Sequence, residues 1–166
     1  MKKTFLIVLC LVFLFSLKIS VFSHCEIPCG IYNDEMRFEL IMEHIQTIEK
    51  AIHEITHLSE SRWKVYKLSE SPDPVNFNQM VRWITNKEKH AEEIQHIISQ
   101  YFLTQRIKLN QDSGGLDSEK YTHQLALCHQ ILIYAMKCKQ SLDLSYVEEL
   151  KKSAAEFKKS YFKKQK

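Results

Sequence analysis

Apolar residues recur every three or four positions along most of the chain, the spacing that places them on one face of an α-helix. The clearest run begins after Asn33 or Asp34, either of which can cap a helix, and ends near Leu58. Its apolar positions are Phe38, Ile41, Ile45, Ile48, Ile52 and Ile55. Because the 166 residues include only three glycines and three prolines, few positions interrupt this pattern, and the sequence predicts an all-α fold.

A second helix is predicted to start after Pro72 and Pro74 and to fade near Lys108. Its apolar stripe consists of Phe77, Val81, Ile84, Ala91, Ile94, Ile98 and Tyr101. Residues 59–71, between the first two helices, are compatible with either a helical turn or an ordered loop. Turn-forming residues at 110–115 predict a loop after the second helix.

Two more helices complete the pattern. The third carries Tyr121, Leu125, Cys128, Leu132 and Ala135 on one face. The fourth is capped by Asp143 or Ser145, and its apolar face consists of Val147, Leu150, Ala154, Phe157 and Tyr161. Four amphipathic helices with short connections bury these faces best as an antiparallel up-and-down four-helix bundle, predicted over residues 33–166.

The first 23 residues have the layout of a cleavable secretory signal. Lys2 and Lys3 precede an apolar run from Phe5 to Phe15, and the small residue Ser23 provides a cleavage point. The run is too short to span a bilayer comfortably, so membrane contact is expected only through the precursor signal. The mature protein is therefore predicted to be exported and to become periplasmic or extracellular.

Charge gives no indication of a nucleic-acid partner. The formal net charge of +3 equals the three lysines of the leader, which contains no acidic residue. A basic end formed by Lys158, Lys159, Lys163, Lys164 and Lys166 is interpreted as a solvated tail rather than a nucleic-acid contact.

Four cysteines remain after the leader: Cys25, Cys29, Cys128 and Cys138. The last two stand ten residues apart in one predicted helix, about 15 Å along its axis, too far to form a disulfide with each other. They are expected to be small buried or half-buried residues, with a bridge to another chain as a minor alternative. The other two lie in the segment directly after the predicted cleavage point.

That segment, residues 24–32, reads His-Cys-Glu-Ile-Pro-Cys-Gly-Ile-Tyr. Cleavage before His24 converts its backbone nitrogen into a free amine. Five donors then lie within residues 24–29: the amine and imidazole of His24, the backbone nitrogen of Cys25, and the sulfurs of Cys25 and Cys29. Two nitrogens and two sulfurs can form a plane with an axial imidazole, a geometry that favours nickel or copper over tetrahedral zinc. Pro28 and Gly30 supply the bends for a metal-binding hook.

The segment resembles the N-terminal motif of nickel superoxide dismutases, His-Cys-x-x-Pro-Cys-Gly-x-Tyr, at every fixed position. The resemblance implies that His24, Cys25 and Cys29 bind the metal and that Tyr32 stands over its open face. Glu39 is similar in placement to a family glutamate that hydrogen-bonds the axial imidazole across a subunit contact. The resemblance also implies one nickel ion per subunit, superoxide as substrate and a homohexamer of helical bundles.

Two departures from the family pattern are visible. Glu26 stands where aspartate is more usual, a change that should be tolerated. The family arginine near the axial histidine has no unambiguous match, since His90 stands near the corresponding position and the role is left unassigned. The implied activity is disproportionation of superoxide to dioxygen and hydrogen peroxide by Ni(III)/Ni(II) cycling.

Two alternatives compete with this interpretation. The first is a secreted helical-bundle binding protein whose N-terminus is closed by a Cys25–Cys29 disulfide. The second is a di-iron carboxylate bundle, because Glu54 with His57 and Glu93 with His96 have the required spacing. The second is disfavoured, because the third predicted helix carries no acidic residue between positions 121 and 138.

Overall fold

A computed structural model of the chain describes residues 34–66, 74–108 and 116–163, including all of their side chains except those of 61–66 and 116–118. Four α-helices are present: α1 (Asp34–Tyr66), α2 (Pro74–His96), α3 (Leu116–Gln140) and α4 (Leu144–Phe162). A π-helix, Ile97–Arg106, continues α2. These residues contain no strand, and the predicted all-α fold is confirmed. The predicted leader, hook and loop 110–115 lie outside the described ranges.

The helices form an antiparallel bundle in which each packs on two neighbours, in the cyclic order α1, α2, α3, α4. Side-chain contacts establish the directions. Along α1 and α4, Asp34 contacts Tyr161 and Glu49 contacts Lys151, so one helix ascends as the other descends. None of the described helices is long and apolar enough to cross a membrane.

The α1 face of the core agrees with the prediction. Phe38, Ile41, Ile45, Ile48, Ile52 and Ile55 are all buried. The helix continues to Tyr66, so the first part of the ambiguous segment 59–71 is helical. The predicted face of α4 is also correct, with Val147, Leu150, Ala154 and Phe157 buried and Tyr161 packed against them. Asp143 caps α4 by accepting a hydrogen bond from the backbone N–H of Ser145 at 2.9 Å.

The predicted face of α2 is wrong in its first half. Phe77, Val81 and Ile84 are exposed, whereas Ala91, Ile94, Ile98 and Tyr101 are buried as expected. The inward stripe instead runs back from Ala91 through buried Lys87 and half-buried Trp83 and Met80. A lysine occupies a core position here because its ammonium group binds the end of α3. With a charged residue buried and three apolar residues exposed, the apolar pattern does not identify the buried face of α2.

The inward face of α3 is rotated slightly from the prediction. Its deepest members are Leu127, Cys128, Ile131, Ala135 and Cys138, while Tyr121, Leu125 and Leu132 are only half-buried. Lys87 fixes the C-terminal end of this helix. Its Nζ donates to the backbone oxygens of Cys138, Lys139 and Ser141 at 2.5, 2.6 and 3.4 Å. A cation at a helix C-terminus satisfies carbonyls that have no partner within the helix.

The π-helix that follows α2 is not predicted by the periodicity of the sequence. Its side chains reinforce the wider turn, since Thr104 Oγ1 donates to the Ser99 carbonyl and Gln105 Nε2 to the Gln100 carbonyl, each five residues back. The backbone N–H of Ile107 donates to the Phe102 carbonyl at 2.8 Å and closes the segment. Single π-helical turns occur frequently at functional sites.

Candidate functional site

The predicted metal ligands His24, Cys25 and Cys29, and also Tyr32, lie outside the described residues. The structure does describe the end of the bundle to which they are covalently joined. Asp34, the first residue of α1, follows Tyr32 by two positions. The C-terminal ends of the α2 extension and of α4 meet it there.

Asp34 is the centre of a hydrogen-bonded cluster. Arg106 donates to Asp34 Oδ1 from Nε at 2.8 Å and from Nη2 at 2.6 Å. The hydroxyl of Tyr101 donates to the same oxygen, and the hydroxyl of Tyr161 donates to Oδ2 at 2.7 Å. Both carboxylate oxygens therefore accept hydrogen bonds, from donors on two different helical segments.

The hydrogen bonds of the cluster determine which of its side chains are charged. Burial opposes ionisation of Asp34, but the hydrogen bonds from Tyr101, Tyr161 and Arg106 outweigh it and hold the pKa of the carboxyl below its usual value. Burial and the adjacent carboxylate raise the pKa of both tyrosine hydroxyls. At neutral pH the cluster is thus one carboxylate and one guanidinium with two neutral phenols.

An aromatic cluster supports this end of the bundle. The ring of Phe38 lies 4.8 Å from Phe102, 5.3 Å from Phe157 and 5.6 Å from Tyr161, measured between centroids. Such tilted ring pairs contribute beyond the apolar area that they bury. The Asp34 cluster is therefore attached to a well-packed core.

The buried thiols do not compete for a metal. Cys128 and Cys138 are both free and fully buried, as the sequence predicts. Burial raises the pKa of Cys128 to about 12 and that of Cys138 to about 11, so both remain protonated at neutral pH. Since the thiolate is the form that binds metals, these two thiols are poor candidates for metal ligands, and the predicted ligands Cys25 and Cys29 stay a prediction.

Glu39 lies exposed on α1. An exposed position is compatible with a partner on another subunit, and its predicted role stays a prediction. His90, the residue near the position of the family arginine, contacts His44 with the two Nδ1 atoms 2.7 Å apart. His44 is half-buried, whereas His53, His123 and His129 are exposed.

The di-iron alternative has no support in the described helices. His57, Glu93 and His96 are exposed, and Glu54 is only half-buried, so these side chains do not project together into the core. Within residues 34–66, 74–108 and 116–163, no group of three or more histidines, cysteines or acidic residues is arranged to hold a metal. The described residues therefore contain no alternative to the metal site predicted at residues 24–29.

The donor chemistry of residues 24–29 fits a nickel ion, since thiolate sulfur and nitrogen ligands suit this metal. A family model described as nickel-containing superoxide dismutase matches residues 19–166. The chain belongs to the nickel-containing superoxide dismutase family. As a member of this family it is a superoxide dismutase, an oxidoreductase with a nickel cofactor. No curated protein and no solved structure matches the chain.

Sequence reasoning missed the Asp34 cluster in this nickel superoxide dismutase. Asp34 was considered only as a helix cap, and Tyr101 and Tyr161 only as core residues. The available signal was topological. In an antiparallel bundle the start of α1 lies beside the ends of α2 and α4, which places these three polar groups at one end.

Proposed function

We propose that removal of residues 1–23 exposes the amine of His24, and that residues His24, Cys25 and Cys29 then hold about one nickel ion per chain. The ligand atoms are the His24 amine and imidazole, the Cys25 amide nitrogen and the two thiolates. The observation that carries the assignment is the complete motif at 24–32 directly after a predicted cleavage point. The family match begins before His24 and includes the whole motif.

The proposed reaction converts two superoxide anions and two protons into dioxygen and hydrogen peroxide. A nickel ion held by these residues would supply the redox chemistry, through the Ni(III)/Ni(II) couple. The chain supplies anionic donors, because two thiolates and a deprotonated amide favour the higher oxidation state.

Two further residues have proposed roles around the ligands. The hydroxyl of Tyr32 orders water and restricts access of small anions to the open face. Glu39, exposed on α1, accepts a hydrogen bond from the His24 imidazole of a neighbouring subunit and fixes the orientation of the ring. Because the substrate is a small anion, access and proton supply matter more than a shaped pocket.

The proposal also includes export and assembly. The charged start, apolar run and small cleavage residue support export to the periplasm or beyond. The first half of α2 exposes Phe77, Val81 and Ile84 on one side of the helix, and such an apolar face supports a homo-oligomer. The family resemblance makes this oligomer a hexamer.

Substitution of each candidate ligand tests the function. Cys25→Ser and Cys29→Ser are expected to lose nickel and dismutase activity, while helical content and thermal unfolding stay those of the wild type, since these residues precede the bundle. Cys138→Ala is the matched control, because it removes a thiol that is buried and protonated. It is expected to keep its nickel. Wild-type dismutation by either serine variant would refute the assignment.

A further inference from the structure

We propose that Asp34 is a positioning residue, which fixes the nickel-binding segment to the end of the bundle through Tyr101, Arg106 and Tyr161. This inference rests on the proposed function, since it assumes that residues 24–32 bind the metal. Asp34 does not touch the proposed ligands; it determines where the segment that carries them leaves the bundle.

Asp34 can position the metal-binding segment because it is close to that segment in the chain. Tyr32 precedes Asp34 by two positions and Cys29 precedes it by five, and even a fully extended chain covers only about 3.5 Å per residue. Because the segment is short, any motion of the residue to which it is attached also moves the segment. Each hydrogen bond that holds Asp34 therefore reduces the number of positions open to Tyr32 and Cys29.

The number of donors exceeds what helix capping requires. A capping aspartate accepts one or two backbone N–H groups, whereas Asp34 accepts four side-chain hydrogen bonds from Tyr101, Arg106 and Tyr161. Its side chain is only 21% exposed, although it is at the end of a helix. Hydrogen bonds between charged groups are shorter and stronger than neutral ones, so the Arg106 contact fixes the carboxylate orientation.

The π-helix is what brings two of these donors together. Tyr101 and Arg106 are five residues apart, and at about 100° per residue an ordinary α-helix would turn them roughly 140° from each other. In a π-helix, residues five apart lie one turn apart and share a face. The Arg106 guanidinium accordingly lies 5.1 Å from the Tyr101 ring centroid, and its Nε donates to the Tyr101 hydroxyl at 3.2 Å.

A second ion pair between α1 and α4 provides a comparison. Lys151 contacts Glu49 at 3.3 Å, and the two side chains are 32% and 31% exposed. This pair joins the same two helices as Asp34 and Tyr161 but lies fifteen residues further along α1. Any effect on the N-terminal segment that Asp34 has and Glu49 lacks is therefore due to position rather than to the loss of a carboxylate.

The experiment compares Asp34→Asn and Tyr161→Phe with the control Glu49→Gln in the full processed chain. Nickel affinity is measured by competition with a chelator, and amide hydrogen exchange of residues 24–33 is measured in metal-free protein. Asp34→Asn is expected to weaken nickel binding at least tenfold and to accelerate exchange in this segment. Tyr161→Phe, which removes one of four donors, is expected to have a smaller effect in the same direction. The control is expected to match the wild type in both measurements.

Asp34→Glu provides a rescue, because it keeps the charge and is expected to restore part of the nickel affinity. If Asp34→Asn equals the control in both nickel affinity and exchange, Asp34 is not an anchor, although nickel binding by the wild type would still support the proposed function. If the wild type binds no nickel, the proposed function fails, and the exchange measurement still decides whether Asp34 restrains the segment.

Discussion

The Nδ1 atoms of His44 and His90 lie 2.7 Å apart across the contact between α1 and α2. At this distance one ring donates and the other accepts, so at least one of the two histidines is neutral. Burial and the neighbouring His90 ring lower the pKa of His44, and the carboxylates of Glu93 and Glu43 oppose this only in part. The contact is therefore weakened by acid.

Stability is expected to fall as the pH drops from 7.5 to 5.5. Because the pKa of His44 in the folded state lies below its ordinary value of 6.5, the unfolded chain binds more protons in this range, and stability decreases as pH falls. His44→Gln is expected to lose about 1 kcal/mol at pH 7.5 and to show a shallower decline. Urea unfolding at both pH values measures this, with exposed His123→Gln as control. An unchanged decline in His44→Gln would contradict the assignment.

Lys87→Met is expected to destabilise the bundle by about 1–3 kcal/mol, because it leaves buried carbonyls at the end of α3 without their donor. The side chain of Lys87 is 3% exposed, so water does not replace it. Lys139→Met is the comparison, since it removes a surface pair with Glu92 and is expected to cost less than about 1 kcal/mol. Equal losses for the two variants in urea unfolding would show that Lys87 does not stabilise α3.

Asp34→Asn is expected to make the stability of the fold less dependent on pH in the acid range. Burial opposes the charge of Asp34, but its hydrogen bonds hold the pKa below 3.8, so its contribution is present above that pH and is lost as pH falls through the lower folded value. Thermal unfolding at pH 5 and pH 3 measures the difference. The variant is expected to lose less stability than the wild type between these two values, and an equal loss would show that the carboxylate is not stabilised by its partners.

The exposed face of α2 provides a test of assembly. Phe77→Ser combined with Val81→Ser is expected to convert the proposed oligomer to smaller species, because both side chains are exposed in the single chain. Leu142→Ser, at a residue that is 43% exposed between α3 and α4, is the control and is expected to leave the oligomer intact. Sedimentation velocity distinguishes the species. An unchanged mass for the double variant would place the interface elsewhere.

The sequence predicts the fold well where polar and apolar positions follow the helical period without exceptions. The α1 stripe from Phe38 to Ile55 is such a case. The family that the resemblance indicated is confirmed by the family match, whereas the ligand roles within residues 24–32 stay predictions. The prediction for α2 failed because the charged residue Lys87 occupies a buried position, where its partners are backbone carbonyls distant in sequence. Periodicity does not reveal such a partner.

The Asp34 cluster was not predicted either, because its members are also distant from one another in the sequence. Its four members are separated by as many as 127 positions and meet only in the folded bundle. The π-helix that aligns Tyr101 with Arg106 has no distinctive composition, so residues 97–106 were expected to continue as α-helix. The candidate donors at residues 24–29 are close together in the sequence and could be proposed from it, whereas the side chains around Asp34 meet only in the tertiary structure.

Mass spectrometry of the purified, active protein, combined with metal analysis, tests the central claim most directly. The account predicts a mature chain that starts at His24, with about one nickel ion per chain, and no bound nickel in a form that retains Ser23. A mature N-terminus at any other residue, or a Cys25–Cys29 disulfide in fully active protein, would contradict it.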